Sequence, residues 1–396
     1  MNKLNWIFVV LLSVTTGFAQ KGIDFRSESI DQVFQNARRA GKPVFVEIYS
    51  PDCHVCQSFM PTLADPRVGK FYNEKFVSKK LELMSQSTQD WLKAHRLYVP
   101  SLPLFLYFDG QQNLIHYAMS NNSADEVIRH GNVALDPKNR AQVFRQRFDK
   151  GERAANFLID YGMFAKVTTD TVGNLKAMEA YAKQQPVSTY ANQTNWLVLQ
   201  KLIMDSDNPL AVYFINNQGA YKQYGPQPVH DVAENIIMSS LYCSRAGRYE
   251  PSRILRIRDQ LVKIGVTPQV AANRTLLPEV GAYFRAKQTE KATARMDKQA
   301  NTAPLTVPEF IYICRYFNKN SPDATDVPTV IKWSNKALGM KPTTNEQADL
   351  YYEQAEAWRR AGKKADGLKA AQKSMELAKT AKMDTKRNMT QLSKLK

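Results

Sequence analysis

The sequence predicts an α/β domain followed by an all-α region. Three observations carry this. Apolar, β-branched and aromatic runs bounded by turn signals occur only before about residue 136. From there to the end, apolar residues recur at helical spacing. The strongest strand-like run, "VFVEIYS", leads directly into "PDCHVC", a Cys-x-x-Cys pair placed where a helix should start. The chain has 396 residues and 43% hydrophobic content, which suits two or three packed domains and excludes a disordered chain.

The N-terminus reads as a leader. "MNKLNWIFVVLLSVTTGFAQ" has a basic Lys3, a short apolar run from Leu4 to Val14, and Gly17-Phe18-Ala19 as a small-x-small cleavage site. That is the pattern of a secretory signal peptide over 1–19, with a mature chain starting at Gln20. The apolar run is shorter than a membrane span needs. The expectation is an exported protein, periplasmic or secreted, in a compartment where disulfides persist.

The α/β domain is expected over 20–135. "SIDQVFQNARRAGKP" is an amphipathic helix with Ile30, Val33, Phe34 and Ala37 on one face and Gly41 at its end. "PVFVEIYS" is a strand buried on both faces. A helix begins at Cys53, "DPRVGKFYNEKF" is another, and "FVSKKLELM" is a strand. "STQDWLKAHRL" is a helix capped by Ser87 or Thr88. "PLFLYFDGQQNLIHYAMS" is a β-hairpin turning at Asp109-Gly110. "SADEVIRHGNVAL" closes the domain as a helix, with Ser123 as N-cap and Glu126 completing a capping box.

The region 136–396 is expected to be helical. "EQADLYYEQAEAWRRAGKKADGLKAAQKSMELA" reads as a helix hairpin turning at Gly362, with Ala365, Leu368, Ala371 and Met375 lining its second helix. "VIKWSNKALGMKP" ends like the second helix of a preceding hairpin. Ala337 and Ser374 would then be equivalent, 37 residues apart, against about 34 for a tetratricopeptide-type repeat. Gly367 and Ser374 stand where that repeat has alanine. A helical solenoid and an irregular bundle both fit. Charge separates the two parts. Residues 20–135 are nearly neutral, and almost all of the net charge of +17 lies beyond them. A basic surface of this kind suits acidic partners or an anionic membrane face, or is simply solvated. It lacks the interleaved aromatics of a nucleic-acid groove, so no nucleic-acid partner is expected.

Two cysteines three residues apart in a first helical turn share a face and can form a disulfide. The first meets the free N–H groups and positive dipole end of the helix, which favour a thiolate, and the second is enclosed by its own helix. That asymmetry makes a nucleophile and a resolving thiol. A zinc site is the first alternative, but Cys243 and Cys314 are isolated, and His54, His95, His116, His130 and His230 lack ligand spacing. No metal and no cofactor beyond a redox-active disulfide is expected. A structural clip is the second alternative, though so short a loop constrains the unfolded chain little. Cys243 and Cys314 read as buried small apolar residues or as a bonded pair.

With these residues in view, Lys42 to Leu135 resembles the thioredoxin superfamily. "KPVFVEIYS" is similar to that family's central strand before the active-site helix. Glu47 stands six residues before Cys53, where the family has a buried carboxylate, and Pro61 five after Cys56, where its helix is kinked. "VPSLP", Val99 to Pro103, resembles the family's cis-proline loop, with Pro103 as the cis residue. "LADPRVGKFYNEKFV" is similar to secreted thioredoxin-like domains with a helical extension. The sequence departs from the family at Asp52, where tryptophan is usual, at His54-Val55 between the cysteines, and at Leu102, where a polar or β-branched residue is usual.

The resemblance implies a thiol–disulfide oxidoreductase. Cys53 would attack a substrate disulfide, Cys56 would resolve the mixed disulfide, and Glu47 would accept the proton of Cys56. Pro103 would shape the substrate groove and leave the backbone of Leu102 free to pair with an extended chain. A protonated His54 would favour the thiolate and the reduced pair, whereas Asp52 opposes it. Protein substrates with thiols or disulfides, and an electron-donor or acceptor protein, are the implied partners, selected or positioned by the helical region. The competing reading is a binding protein that uses its helical region and keeps the α/β part as a platform. A peroxidase reading lacks any residue to activate peroxide.

Overall fold

The computed structural model describes residues 22–395, so the expected leader over 1–19 lies outside the described residues. The chain divides into two compact units, 1–186 with 200–202 and 187–199 with 203–396.

The first unit is built on one four-stranded sheet of β1 (Val44–Tyr49), β2 (Val77–Glu82), β3 (Leu104–Phe108) and β4 (Leu114–Ala118), in the order β2-β1-β3-β4. β2 runs parallel to β1, β3 antiparallel to β1, and β4 antiparallel to β3, so a βαβ unit is joined to a hairpin. Helices α1 (Ile30–Ala40), α2 (His54–Leu63), α3 (Pro66–Lys75), α4 (Gln86–Ala94) and α5 (Ala124–Leu135) complete a thioredoxin-like α/β fold. Alternation along β1 sends Phe45, Glu47 and Tyr49 to one face and Val44, Val46 and Ile48 to the other. On the first face an aromatic core joins Phe45, Phe59, Tyr72, Phe105 and Tyr107. Phe59 meets Phe105 edge-on at 5.6 Å, which seats α2 against the sheet. The buried Tyr72 hydroxyl lies 2.8 Å from that of Tyr107 and donates to the Val127 carbonyl at 2.7 Å, so both rings are buried without a stranded polar group.

The expected elements form, with local differences. α4 is capped by Ser85, two or three residues before the expected Ser87 or Thr88, because its hydroxyl reaches the Thr88 N–H. Ser123 caps α5, but Glu126 turns its carboxylate to the Arg129 guanidinium instead of back to the cap. At the hairpin Asp109 accepts from the N–H groups of Gln111 and Asn113, which makes a five-residue loop. The helices after the sheet, α6 (Phe144–Asp149), α7 (Ala155–Val167) and α8 (Thr171–Gln184), belong to the first unit.

The second unit is all-α. Its core gathers Phe310, Cys314, Phe317, Val330 and Trp333. Helices Thr344–Arg360 and Lys364–Thr380 form the expected hairpin, with Gly362 left-handed at φ 71° between them. The second helix is rotated from expectation. Ala365 is exposed and Leu368 and Met375 are half-buried, while Gly367, Ala371 and Ser374 face inward. Gly367 and Ser374 thus serve close contact. A Cβ at Gly367 would stand 2.8 Å from Leu395, and Ser374 donates to the Ala348 carbonyl at 2.7 Å. Cys243 and Cys314 are free buried thiols with separate partners, Cys243 beside Ser240 and Tyr249 and Cys314 donating to the Val330 carbonyl. Among the described residues no helix is long and apolar enough to cross a membrane.

Candidate functional site

The end of β1 delivers the chain through Ser50-Pro51-Asp52 to Cys53, the N-cap of α2. This loop is pinned from both sides: Cys53 N–H donates to Ser50 O at 3.2 Å, and the Gln57 side chain donates to Pro51 O at 2.7 Å. The Cys53 backbone is extended (φ −84°, ψ 106°), which turns its side chain over the open end of the helix. There its Sγ accepts the Cys56 N–H at 3.2 Å, a sulfur capping a helix as an Asp or Ser oxygen would. A thiolate at that position keeps the same donor. Cys53 is half-exposed and Cys56 is 5% exposed. The thiol of Cys56 is pushed up to about 11, chiefly by burial and then by its contact with Cys53, with the Glu47 carboxylate adding a smaller push. The outer thiol is thus placed to react and the inner one holds its proton.

Glu47 lies in the sheet on the α2 face and is 1% exposed. Burial holds its carboxyl above the usual carboxylate range, and Lys80 pulls the other way. Lys80 is the site residue that sequence reasoning missed. It stands opposite Glu47 in the parallel register of β1 and β2, with its Nζ 3.2 Å from Glu47 Oε2 and about a third of its side chain exposed. The same ammonium lies 5.0 Å from the ring centres of Phe25 and Tyr49. "VSKKLE" shows two lysines in a strand, and alternation sends one to each face. Which one meets Glu47 depends on register, which no local pattern gives.

Leu104, the first residue of β3, pairs with Ile48 near the end of β1, so the loop before β3 leaves the sheet at the same end as the cysteines. The Leu102–Pro103 peptide is cis. Pro103 is buried and Leu102 half-buried, and the Ser101 hydroxyl meets the Met119 sulfur at 3.0 Å just beyond β4. The fold therefore brings Cys53, Cys56, Leu102 and Pro103 to one end of the sheet, with Glu47 beneath α2. His54 and Asp52 both stand exposed, where water and salt screen each of them. Pro61 lies inside α2. Among the described residues no three His, Cys, Asp or Glu side chains are grouped to hold a metal ion.

No protein-family model matches the chain, and no curated protein matches it. Among solved structures it is similar to the solution structure of a candidate disulphide isomerase from Bacteroides thetaiotaomicron, at 19% identity and a TM-score of 0.27, over 29% of this chain and 95% of the other. It is also similar to the crystal structure of a disulphide isomerase from Xylella fastidiosa Temecula1, at 9% identity and a TM-score of 0.21, over 30% of this chain and 90% of that one. What this chain does chemically rests on its own residues: an accessible thiol at a helix N-terminus, a buried thiol one turn on, and a buried carboxyl beneath them.

Proposed function

We propose that the chain is an exported thiol–disulfide oxidoreductase acting on protein disulfides through Cys53 and Cys56. The observation that carries this is the division of labour in the pair, Cys53 half-exposed at the helix N-cap and Cys56 buried with its proton held. Cys53 thiolate attacks one sulfur of a substrate disulfide. The substrate S–S bond breaks, a mixed disulfide forms, and the displaced substrate sulfur leaves as a thiolate that takes a proton from water. Cys56 then gives its proton to the Glu47 carboxylate and attacks Cys53 Sγ. The mixed disulfide breaks, the second substrate sulfur leaves as a thiolate that takes a proton from water, and the enzyme carries a Cys53–Cys56 disulfide. A donor dithiol protein returns the two electrons, and with an oxidising partner the same steps run in reverse. A thiol held near 11 is nearly all protonated at neutral pH, so resolution needs a base close by. Glu47 supplies it, and Lys80, half in water, links that carboxyl to solvent. The leader pattern supports export, and the helical region selects or positions the protein partner.

Expressing Cys56→Ala in intact cells tests this reading. The expected result is a set of mixed disulfides with exported proteins that vanish on reduction and in the Cys53→Ala, Cys56→Ala double variant. If no Cys53-dependent adducts form and the purified dithiol is inert toward insulin disulfides, the oxidoreductase reading fails and a binding protein takes its place.

A further inference from the structure

The second unit holds a polar cavity among helices Pro251–Lys263, Pro268–Arg285 and Thr289–Thr302. Its volume is about 480 Å³, within the range that holds small ligands. Arg295, Lys298 and Gln299 follow one another at helical spacing, so one face of Thr289–Thr302 forms a wall. Gln299 on that wall is 8% exposed. Its side-chain amide has no hydrogen-bond partner among the described residues, and both amide atoms keep an accessible edge. Polar groups so deeply placed are almost always paired. An amide left open on a cavity wall offers one acceptor and two donors, the complement of a peptide group.

The charges around it call for an anion next to that peptide group. Glu279, 2% exposed behind the wall, meets Arg295 Nε at 2.8 Å and an Arg258 terminal nitrogen at 3.4 Å through the same oxygen. Arg258 is thus held at long range by an oxygen already taken, and the rest of its guanidinium has no partner among the described residues and stays accessible. Lys298 is exposed and forms no ion pair among the described residues. Three cations therefore face two carboxylates, those of Glu279 and the exposed Asp259. The first turn of Pro268–Arg285, which also lines the cavity, adds the positive end of a helix.

We propose that this cavity binds an acidic segment of a protein partner, with a side-chain carboxylate between Arg258 and Lys298 and a neighbouring backbone amide paired to both atoms of Gln299. A bare anion would leave the Gln299 oxygen without a donor, whereas an acidic peptide meets the amide and the cations together. The proposal rests on the part of the proposed function in which the helical region selects the protein partner, and it names what that region recognises. It needs neither Cys53 nor Cys56, so it and the dithiol chemistry can fail separately.

Calorimetric titration of the full chain at about 0.15 M salt with three probes tests it. The probes are end-capped Ala-Glu-Glu-Ala, end-capped Ala-Gln-Gln-Ala and inorganic phosphate. The acidic peptide should saturate with a Kd below about 1 mM and shift the Gln299 side-chain amide signals in ¹⁵N spectra. The glutamine peptide and phosphate should each bind at least about tenfold more weakly. Gln299→Leu keeps the size of the side chain and should weaken the acidic peptide about tenfold. Arg258→Gln should do the same but risks the fold, because Glu279 loses a cation. Lys298→Gln changes only an exposed side chain and should weaken binding about threefold with an unchanged Tm. Absence of saturation by the acidic peptide at about 10 mM would leave water alone in the cavity and overturn the proposal. Phosphate or the glutamine peptide binding as tightly as the acidic peptide would overturn it too. So would an acidic-peptide affinity that neither Gln299→Leu nor Lys298→Gln moves, which would put binding on the general basic surface.

Discussion

Each unit of this protein buries a cysteine close to a carboxylate, and the two pairs differ in what surrounds them. In the second unit Cys314 is fully buried, its thiol pushed up by burial and then by the charge of Glu353. Glu353 is met on both oxygens, by Arg315 Nε at 2.9 Å and Asn318 Nδ2 at 3.0 Å. In the first unit Cys56 and Glu47 stand in the same relation, but Glu47 has one half-exposed lysine, and Cys56 has a second thiol at a helix N-cap. A buried thiol near a carboxyl is thus a packing solution as readily as a reactive one. A reactive site adds a second sulfur that substrate can reach and a carboxyl left free to change its proton.

Several substitutions would break or sharpen this contrast. The largest effect is expected at the outer thiol. Cys53→Ala should lower turnover of a protein disulfide by about a thousandfold or more, since it removes the nucleophile itself. Cys314→Ala should change that turnover by less than about twofold. If both variants lose activity alike, the contrast collapses.

The next effect separates the units by pH. His116 is buried and His130 half-buried in the first unit, and both are kept neutral, held down to about 3 and about 4, mainly by desolvation. A histidine held below its unfolded value of about 6.5 contributes stability that is complete above that pH and lost as pH falls toward the folded value. The first unit should lose a few kcal/mol between about pH 6.5 and pH 4. Replacing both histidines with glutamine should flatten that slope in denaturant titrations across the range. An unchanged slope would assign the acid sensitivity elsewhere.

The carboxyls should respond with opposite signs. Glu353→Gln breaks a doubly bonded buried group and should cost about 2 kcal/mol in chemical denaturation. Glu47→Gln should raise stability at pH 7 by about 1 kcal/mol: burial holds both carboxyls above their usual range and penalises each as pH rises, but Glu353 has hydrogen bonds to lose on both oxygens and Glu47 has only Lys80. The freed Lys80 can turn to water. The same variant should slow release of the Cys53 mixed disulfide about tenfold. If Glu47→Gln is destabilising and leaves resolution unchanged, Glu47 is a packing residue like Glu353. Lys80→Met should have the smallest effect, a few-fold slower turnover as Glu47 loses its link to solvent.

Much of this was legible in the sequence because the signals are local. The apolar run of β1, the Cys53-x-x-Cys56 pair and the turn at Asp109 each occupy a few consecutive residues, and periodicity and turn chemistry read them directly, whereas Glu47 is singled out by the family resemblance. What stayed hidden depends on pairing across distance. Lys80 meets Glu47 through strand register. Arg258 and Gln299 share a cavity only because separate helices pack together. Gly367 and Ser374 look like departures from a repeat until their neighbours Leu395 and Ala348 are known. Even the Ser85 cap was a matter of which hydroxyl reaches which N–H, a choice that neighbouring serines leave open.

Lys79, the neighbour that Lys80 leaves on the opposite face, has a consequence of its own. Its ammonium is gripped by three backbone carbonyls, those of Arg26, Ser27 and Glu28, at 3.0, 3.1 and 2.6 Å. Phe25 bridges to Ser78, and the Arg26 N–H donates to the Ser78 carbonyl at 2.8 Å. β2 is one of the two outer strands of the sheet, and an open outer strand is a template on which other chains add and aggregate. Here the protein's own N-terminal segment already occupies that row. A protein whose proposed work is on the disulfides of other proteins thereby closes one of its sheet's two outer strands to them.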